Sequence, residues 1–465
     1  MDIQVIELEE DEELDLDSMN RSGEISPEVA ESVRKILADV KARGDAAVRE
    51  YTEKFDHAKL VSFRVPDEML DQAVNYIEPS VAQSFRAAYE SICAFHRNDV
   101  PQSRFNVAED GSLVGYKVTP LETVGLYVPG GRAAYPSTVL MNAVPAKMAG
   151  VKRLVMVTPP SANGTINPAL LYAAKLAGVD DVYAVGGAQA IGALAYGTET
   201  IPAVDKIVGP GNVFVAAAKA QVSGFVGIDF QAGPSEILIL ADETTIPSFA
   251  AADLISQAEH DPNACCYLVT VGDYIVKDVL EELDKMVAAS PRREIVEASL
   301  RNNGLIVVCP TLLSAIDTAN DIGPEHLEIM MDEPMDLLGL VRNAGAIFVG
   351  PWTPVPVGDY FAGPSHTLPT SGTARFSNPL TTDDFVKKSS VICYSLAALE
   401  SDCADIARIA RSEGFEGHAK AVEERIEFIN GSLEGCCCGG DDCGCDGSHD
   451  ACGCGGECGE AAAAE

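Results

Sequence analysis

The stretch EILILADETTIPSFAAADLISQAEH, residues 236–260, decides the fold class. It begins with a nearly continuous apolar run, which is typical of a strand buried on both faces of a sheet. An alanine-rich stretch of helical character follows within a few residues. A buried strand joined directly to a helix is the repeating unit of a parallel sheet covered by helices.

The same unit recurs along the chain, in two series of four strand-like runs. The runs are VGLYVPGG (124–131), RLVMVTPP (153–160), DVYAVGG (181–187) and KIVGPG (206–211), then EILILAD (236–242), CYLVTVG (266–272), GLIVVCP (304–310) and AGAIFVG (344–350). Strands that alternate with helices predict an α/β fold with two related parallel-sheet modules. Such folds bind ligands in loops at the carboxyl ends of strands, so the Gly/Pro-rich segments after these runs are candidate site loops.

Helical patterns flank this central region. Apolar residues at helical spacing form one stripe in residues 25–55, and Ser26 and Pro27 are a plausible helix start. Residues 66–96 also have helical character, and residues 377–433 are mostly helical. The glycine pattern G-x-G-x-x-G does not occur, and its nearest approach, GPGNVF at 209–214, lacks the final glycine. Spacing alone therefore establishes no dinucleotide site.

Composition excludes several classes of partner. The chain has 465 residues, 47% of them apolar, and a formal net charge of −37. Phosphate contacts need clusters of Lys and Arg, so neither nucleic acid nor an anionic membrane surface is an expected partner. The chain opens with MDIQVIELEEDEELDLD, and its first twenty residues contain nine acids and no Lys or Arg. A secretory signal instead has a basic start and an apolar middle. We expect a cytoplasmic protein.

Eight of the fourteen cysteines crowd the C-terminal segment GCCCGGDDCGCDGSHDACGCGGECGEAAAAE, residues 435–465. Alanine and cysteine are the only apolar residues of this glycine-spaced, acidic tail, too few and too small to form a core, so we expect disorder without a ligand. Its two C-x-C pairs are able to chelate soft metals, but an inert or redox-labile tail is an equal alternative. Most of the six other cysteines lie in apolar runs, which indicates reduced thiols in the core.

The chemistry-bearing residues are few. IGPEHLEIM, residues 322–330, sets Glu325 beside His326 at a proline corner, which suits a pair of proton-transferring groups. Gln257 and His260 are three apart on a helical pattern and share a face. Two further segments combine titratable groups, one in a Gly/Pro-rich loop with Asp359 and His366, the other near a helix start with Glu413 and His418.

Each of these residues taken singly is more often structural than functional. A solvated turn is the ordinary interpretation of Glu325–His326, and glutamine is an uncommon metal ligand. One carboxylate, two imidazoles and an amide oxygen nevertheless form a sensible Zn²⁺ set. A weak amide ligand would leave such a metal Lewis-acidic and open to substrate.

Long motifs give a more specific indication. The segments AGPSEILILADETTIPSFAAADLISQAEH, GPEHLEI, GDYFAGPSHTLPTSGTARF, EGFEGHAKAVEERI, VGLYVPGGRAAYPSTVLMNAVPAKMAG, VGGAQAIGALAYGTE and DKIVGPGN resemble histidinol dehydrogenase, over roughly residues 30–430. The resemblance implies two incomplete Rossmann-like modules and a small helical C-terminal segment. It also implies a homodimeric enzyme of histidine biosynthesis with one Zn²⁺ per subunit, which oxidises L-histidinol through L-histidinaldehyde with two NAD⁺.

The resemblance assigns the site residues by motif. The catalytic pair would be Glu325 and His326. The zinc ligands, which would also contact substrate together with His326, would be Gln257, His260, Asp359 and His418. Substrate would be held as well by Ser235, His366 and Glu413, and NAD⁺ by Tyr127, Gln189 and Asn212. Glu413 and His418 would reach the site of the partner subunit, so a monomer would be inactive.

These roles agree with elementary chemistry. Loss of hydride from an alcohol needs a base for the hydroxyl proton, and we assign His326 to that task. The aldehyde must then take up water, and we assign Glu325 to deprotonate it. Zinc would act mainly as a template for the imidazole and amine nitrogens of histidinol.

We expect five segments. They are an acidic N-terminal arm (1–24), a first α/β domain with the catalytic and metal loops (25–126 plus 236–376), a second α/β domain on the nucleotide side (127–235), a helical dimerisation segment (377–433) and the Cys/Gly-rich tail (434–465). Three alternatives stay open: a paralogous dehydrogenase of another small alcohol, a zinc hydrolase with Glu325 activating water, and a metal-storage protein acting through its tail.

Overall fold

The computed structural model describes residues 3–10, 12–16, 19, 25–130, 134–230 and 233–434. The chain divides into two compact units. Unit 1 comprises Met1–Gln102 with Val118–Lys387, and unit 2 comprises Ser103–Lys117 with Lys388–Glu465. The predicted cysteine-rich tail and most of the second half of the acidic arm lie outside the described residues.

The described strands form two parallel sheets and one smaller sheet. In chain order they are β1 Gln4–Glu7, β2 Arg104–Val107, β3 Leu113–Pro120, β4 Thr123–Tyr127, β5 Arg153–Thr158, β6 Asp181–Ala184, β7 Lys206–Val208, β8 Gly227–Ile228, β9 Glu236–Ala241, β10 Cys265–Val271, β11 Gly304–Cys309, β12 His326–Met330, β13 Ala346–Val349 and β14 Val386–Cys393. All eight predicted strand runs form strands, so the α/β prediction with two parallel modules is confirmed.

The two parallel sheets share one topology. The five-stranded sheet has the order β6-β5-β4-β7-β8, and the six-stranded sheet has the order β1-β11-β10-β9-β12-β13. Counted from its own first strand, each module has the order 3-2-1-4-5, which is the Rossmann order without its sixth strand. The acidic N-terminal segment adds β1 in parallel to β11 at one edge of the larger sheet.

Helices cover the faces of both sheets. In chain order the described helices are α1 Pro27–Arg43, α2 Asp45–Phe55, α3 Asp67–Gln72, α4 Pro79–His96, α5 Pro136–Met148, α6 Pro168–Leu176, α7 Gly187–Tyr196, α8 Val213–Val222, α9 Pro247–Ala258, α10 Val276–Ala289, α11 Arg293–Asn303, α12 Leu312–Ile322, α13 Val355–Tyr360, α14 Leu396–Ser412 and α15 Glu416–Glu434. The predicted start of α1 is present, since the Ser26 side chain accepts a hydrogen bond from the backbone of Val29 at 3.3 Å. None of the described helices is long and apolar enough to cross a bilayer.

The predicted apolar stripe of α1 lies in a core different from the one we expected. Val33, Ile36, Leu37 and Val40 are buried in a cluster that includes residues of β4 to β7. The sequence analysis placed residues 25–126 in one domain with residues 236–376. In the structure α1 and α2 instead cover the five-stranded sheet, in contact with α7 and α8.

Unit 2 contains the smaller sheet and a helical hairpin. The sheet has the order β14-β3-β2, and β2 pairs with β3 in antiparallel fashion. Helices α14 and α15 pack against each other around buried Ala407, Ala410 and Ala419. Gly414, with φ +81°, turns the chain between them, a backbone conformation that glycine adopts without strain. The later part of the C-terminal segment is therefore helical, as predicted, whereas its earlier part contains the strand β14, which the sequence analysis did not predict.

Candidate active site

The predicted catalytic residues lie at the amino ends of two neighbouring strands. Ser235 immediately precedes β9, Glu325 immediately precedes the adjacent, parallel β12, and His326 is the first residue of β12. Loops at the carboxyl ends of strands were the expected place, following the usual behaviour of such folds. Helices α9 and α13 return across the sheet in the opposite sense, so their C-terminal ends bring Gln257 and Asp359 to the amino edge.

The His326 ring is held in one tautomer. Its Nδ1 lies 2.8 Å from the carbonyl oxygen of Glu236; because a carbonyl only accepts, Nδ1 carries the proton. Its Nε2 is buried with no hydrogen-bond partner in the described parts of the chain and lies 4.0 Å from Asp359 Oδ1. Burial lowers the pKa of His326 to about 4. The ring is therefore neutral near pH 7 and presents a free lone pair at Nε2.

Glu325 is fixed by the same backbone residue. Its Oε2 accepts a hydrogen bond of 2.9 Å from the Glu236 N–H and lies 3.6 Å from His326 Nδ1. Burial raises the pKa of Glu325 well above its usual range, and the negative charges of Glu236 and Asp359 add to the shift. A carboxylate with a raised pKa is a stronger base once it ionises. The backbone of one residue, Glu236, thus orients both side chains of the pair, Glu325 through its N–H and His326 through its carbonyl oxygen.

Asp359 and His366 complete a cluster around His326. His366 Nδ1 lies 3.1 Å from the Asp359 carbonyl oxygen and 4.0 Å from its Oδ1. His366 Nε2 lies 3.1 Å from the Thr138 hydroxyl, so Nδ1 donates and Nε2 accepts. Burial raises the pKa of Asp359 to about 7 and lowers that of His366 to about 4. The site accordingly holds little fixed charge near neutral pH.

Gln257 and His260 border this cluster from α9. The helix ends at Ala258, so His260 is in the following turn rather than on the helix, but its N–H bonds the Gln257 carbonyl at 3.1 Å. The charge of His260 contributes to the lowered pKa values of His326 and His366, which places it close to both rings. Gln257 is 2% exposed, and its Oε1 has no hydrogen-bond partner among the described residues.

These donors fit a divalent cation. A buried amide oxygen without a partner, a carboxylate and an imidazole are the types of ligand that zinc accepts. Within the described ranges no group of three or more His, Cys, Asp and Glu side chains is close enough to hold a metal ion. Unit 1 supplies only part of the predicted ligand set, in Gln257, His260 and Asp359. The fourth predicted ligand, His418, belongs to unit 2.

Glu413 and His418 are exposed residues of the helical hairpin. Glu413 follows the last residue of α14, and His418 lies in the first turn of α15 with its ring 5.2 Å from that of Phe415. Both side chains face solvent in the single chain. Their roles in substrate and metal binding stay predictions.

The predicted NAD⁺ contacts lie in unit 1 at the carboxyl ends of the five-stranded sheet. Tyr127 ends β4, and its hydroxyl accepts a hydrogen bond of 3.1 Å from the Gly187 N–H. Gln189, on α7, is 1% exposed, and neither polar atom of its amide has a partner in the described structure. Asn212 caps α8, since its Oδ1 accepts from the N–H groups of Phe214 and Val215.

A buried ion pair fixes the loop that precedes Asn212. Lys219 donates to the Gly209 carbonyl at 2.9 Å, and Asp229 accepts from the Gly209 N–H at 2.7 Å. The side chains of Lys219 and Asp229 form an ion pair and are 2% and 1% exposed. Gly209 has φ +111°, and a Cβ there would lie 2.1 Å from the Tyr127 carbonyl oxygen. The loop conformation is therefore specified by groups that the sequence analysis did not identify.

The sequence analysis did not identify three residues that orient the predicted site residues. Glu236 acts through its backbone, which leaves no mark in the sequence. Thr138 orients His366 from a distant part of the chain, so local spacing does not reveal it. Lys219 did carry a signal, since a single lysine in the apolar helix VFVAAAKAQV has to be either exposed or paired.

Comparison with known proteins agrees with this architecture. The histidinol dehydrogenase family model matches residues 19–426. Histidinol dehydrogenase of Bacillus subtilis (strain 168) is 53% identical over 403 residues, covering 87% of this chain and 94% of the relative. That of Geobacillus kaustophilus (strain HTA426) is 52% identical over 396 residues, covering 85% and 93%.

A solved structure is similar throughout. The crystal structure of histidinol dehydrogenase from Elizabethkingia anophelis superposes with a TM-score of 0.87 at 34% identity, covering 92% of this chain and 99% of that chain. A family model that spans most of the chain, relatives above 50% identity and a shared fold lead to one assignment. The chain belongs to the histidinol dehydrogenase family and is an oxidoreductase.

Proposed function

We propose that this protein is a cytoplasmic, zinc-dependent histidinol dehydrogenase of histidine biosynthesis. It oxidises L-histidinol to L-histidine through L-histidinaldehyde and uses two NAD⁺. The observation that carries this proposal is the pair of buried, unpartnered atoms at the amino edge of the larger sheet. Gln257 Oε1 and His326 Nε2 have no hydrogen-bond partner in the described residues, and Asp359 lies 4.0 Å from the latter.

The zinc site would use Gln257, His260 and Asp359 together with His418 of the partner subunit. An unpaired buried amide oxygen costs free energy unless it meets a donor or a cation, so a metal would relieve that cost. When bound, zinc would hold the imidazole and amine nitrogens of histidinol, and each NAD⁺ would accept one hydride.

His326 would receive the hydroxyl proton in the alcohol oxidation. Its Nε2 lone pair is free, because the Glu236 carbonyl keeps the ring proton at Nδ1. Its lowered pKa keeps the ring neutral, so the base is ready without prior loss of a proton. After each transfer the proton has to leave toward solvent, past the half-buried side chains of Asp359 and His366.

Glu325 would deprotonate the water that adds to the aldehyde. Its raised pKa makes the carboxylate a stronger base than an exposed glutamate. The Glu236 N–H restrains Oε2 and leaves Oε1 to address the water. Because Glu325 and His326 are adjacent and both bonded to Glu236, they address different atoms around one carbon.

NAD⁺ would bind at the carboxyl ends of the five-stranded sheet, near Tyr127, Gln189 and Asn212. The unpartnered amide of Gln189 supports this, since a buried amide has donor and acceptor capacity left for a ligand. Glu413 and His418 of the partner subunit would complete the substrate and metal contacts, and Ser235 and His366 would hold the substrate from within the chain. We therefore propose a homodimer with shared sites.

Stoichiometry tests the proposal. The purified protein, stripped of metal and reloaded with zinc, is expected to form two NADH per L-histidinol and to lose activity on chelation. One NADH per alcohol, turnover only of other alcohols, or activity independent of metal would contradict it. In the E325Q variant we expect the first NADH of a single turnover to form, while oxidation of supplied L-histidinaldehyde fails.

A mixing experiment tests the shared site. E325Q protomers keep Glu413 and His418, whereas H418A protomers keep the catalytic pair. Neither parent variant is expected to convert L-histidinol to L-histidine, and co-refolded mixtures are expected to regain this conversion in heterodimers. Mixtures without activity would contradict sharing.

A further inference from the structure

A second pair of buried carboxyl groups lies behind the catalytic pair. Glu328 and Asp253 are 2% and 8% exposed, on β12 and α9. Side chains two apart on a strand share a face, so Glu328 points to the same side of the sheet as His326. Asp253 is one helical turn before Gln257 on α9. The chemistry proposed for the site uses neither carboxyl group.

The two carboxyl groups hold a proton between them. Glu328 Oε1 accepts a hydrogen bond of 2.9 Å from the Val355 N–H. Burial and then the Asp253 charge raise the pKa of Glu328 to about 9, and burial raises that of Asp253 to about 6. Glu328 Oε2 is buried and receives no hydrogen bond from a donor group of the described residues. Two neighbouring buried carboxyl groups cannot both ionise, so the protonated Glu328 donates a hydrogen bond to Asp253.

This contact joins three elements, each of which carries a predicted site residue. Asp253 is four residues before Gln257 on α9, and Glu328 is two residues after His326 on β12. Val355, bonded by Glu328, is the first residue of α13, which bears Asp359 in its final turn. The surroundings are apolar, since Ala250, Leu254, Met330 and Val355 pack in the same buried cluster. In such surroundings a carboxyl or N–H group that lost its hydrogen-bond partner would stay unsatisfied.

We propose that Glu328 and Asp253 are positioning residues: their contact, together with the Glu328–Val355 hydrogen bond, fixes α9, β12 and α13 relative to one another. Gln257, His326 and Asp359 are thereby set at the spacing that a metal and its substrate require. The inference rests on the proposed function, because it assigns a purpose to the geometry of that same site. The pair touches no substrate, so it acts through the three residues.

Metal affinity separates positioning from a purely structural role. A core residue that only stabilises the fold changes the melting temperature, but the folded protein still binds zinc normally. A positioning residue changes the zinc Kd and kcat of protein that remains folded. The KM for NAD⁺ should stay constant, because the predicted nucleotide contacts lie on the other sheet.

The test uses the full-length protein and two substitutions of Glu328. E328Q keeps an oxygen for the Val355 N–H and donates its amide to Asp253, whereas E328L removes both contacts at similar volume. Leu283, fully buried on α10 in the same apolar cluster, provides the matched control L283A. Zinc Kd is measured by titration of metal-free protein, with the melting temperature of each variant and the kinetic constants after zinc loading.

E328L is expected to raise the zinc Kd at least ~10-fold and to lower kcat ~10-fold or more, which is the size of effect seen when groups that orient metal ligands are removed. The KM for NAD⁺ is expected to stay within about twofold of the wild-type value. E328Q and L283A are expected to keep both constants within about threefold. A folded E328L with a zinc Kd within twofold of wild type, or an E328Q as defective as E328L, would overturn the proposal. If E328L does not fold, D253A, which leaves the Val355 hydrogen bond in place, is judged by the same limits. Wild-type protein that binds no zinc would instead refute the proposed function.

Discussion

Replacing Glu328 by glutamine is expected to remove a specific pH dependence of stability. In the wild type the carboxyl group is enclosed between β12 and α9, and burial raises its pKa from about 4.5 to about 9. The folded protein therefore retains a proton on Glu328 over a pH range in which the unfolded chain has lost it. Glutamine fills the same space and makes the same hydrogen bonds without titrating.

The sign and size follow from linkage. A carboxyl group whose pKa is raised in the folded state stabilises the fold fully below its unfolded pKa. That contribution is lost as the pH rises toward the folded pKa, at about 1.4 kcal/mol per pH unit. Between pH 5.5 and pH 7.5 the wild type should lose about 2.5 kcal/mol of unfolding free energy relative to E328Q. Other buried groups, including Asp359 and Glu325, are common to both proteins and cancel in the difference.

Urea denaturation followed by circular dichroism measures this difference. The proteins are kept free of zinc by a chelator, because metal binding has its own pH dependence. The L283A variant provides the control, since its loss of stability should be the same at every pH. A difference between wild type and E328Q that changes by less than about 1 kcal/mol from pH 5.5 to pH 7.5 would refute the reasoning. A difference that stays constant over this range would show that Glu328 is ionised in the folded protein, because neither the folded nor the unfolded state would then bind a proton there.

Three further outcomes follow from the structure. Replacing Lys219 by Met leaves the buried Asp229 carboxylate unpaired, so we expect a loss of about 3–5 kcal/mol of stability and a higher KM for NAD⁺; an unchanged KM would contradict the assigned loop role. Replacing His326 by Asn should lower the rate of the first NADH formation, measured by stopped flow, by about 10²–10⁴-fold, with the zinc Kd unchanged. Replacing Gly209 by Ala should lower the melting temperature and raise the KM for NAD⁺. Gly224→Ala, with φ +91° and nothing within 4 Å of the added carbon, should cost only backbone strain and leave that KM alone.

The sequence predicted the strands that consist of apolar runs, because burial on both faces leaves a continuous pattern. It did not predict β12, the strand on which the chemistry depends. His326 and Glu328 interrupt the apolar pattern there, so HLEIM resembles a polar corner, although all five residues are buried between β9 and β13. A titratable residue inside a central strand is costly unless it is paired. Glu328 meets that condition through Asp253, the seventh residue of α9.

The candidate site was predicted by motif, while its position in the sheet was not. The rule that places ligands at the carboxyl ends of strands describes phosphate-binding loops. Asp359 and Gln257 reach the opposite edge because the helices that bear them run back across the sheet. Local spacing cannot specify this, since it depends on where each helix ends. Grouping of α1 with the five-stranded sheet is likewise set by tertiary packing, since its stripe of Val33 and Val40 would suit either sheet.

Two modules of one topology can thus serve opposite kinds of ligand. Every crossover helix presents its N-terminus at the carboxyl edge of its sheet and its C-terminus at the amino edge, and the partial charges there are positive and negative respectively. Under the proposed function, the five-stranded sheet would hold the pyrophosphate of NAD⁺ at its carboxyl edge, where α8 begins after Asn212. The six-stranded sheet would hold the proposed cation at its amino edge, where Gln257 lies in the last turn of α9. Each proposed ligand would then lie at the edge whose helix-end partial charge is opposite to its own.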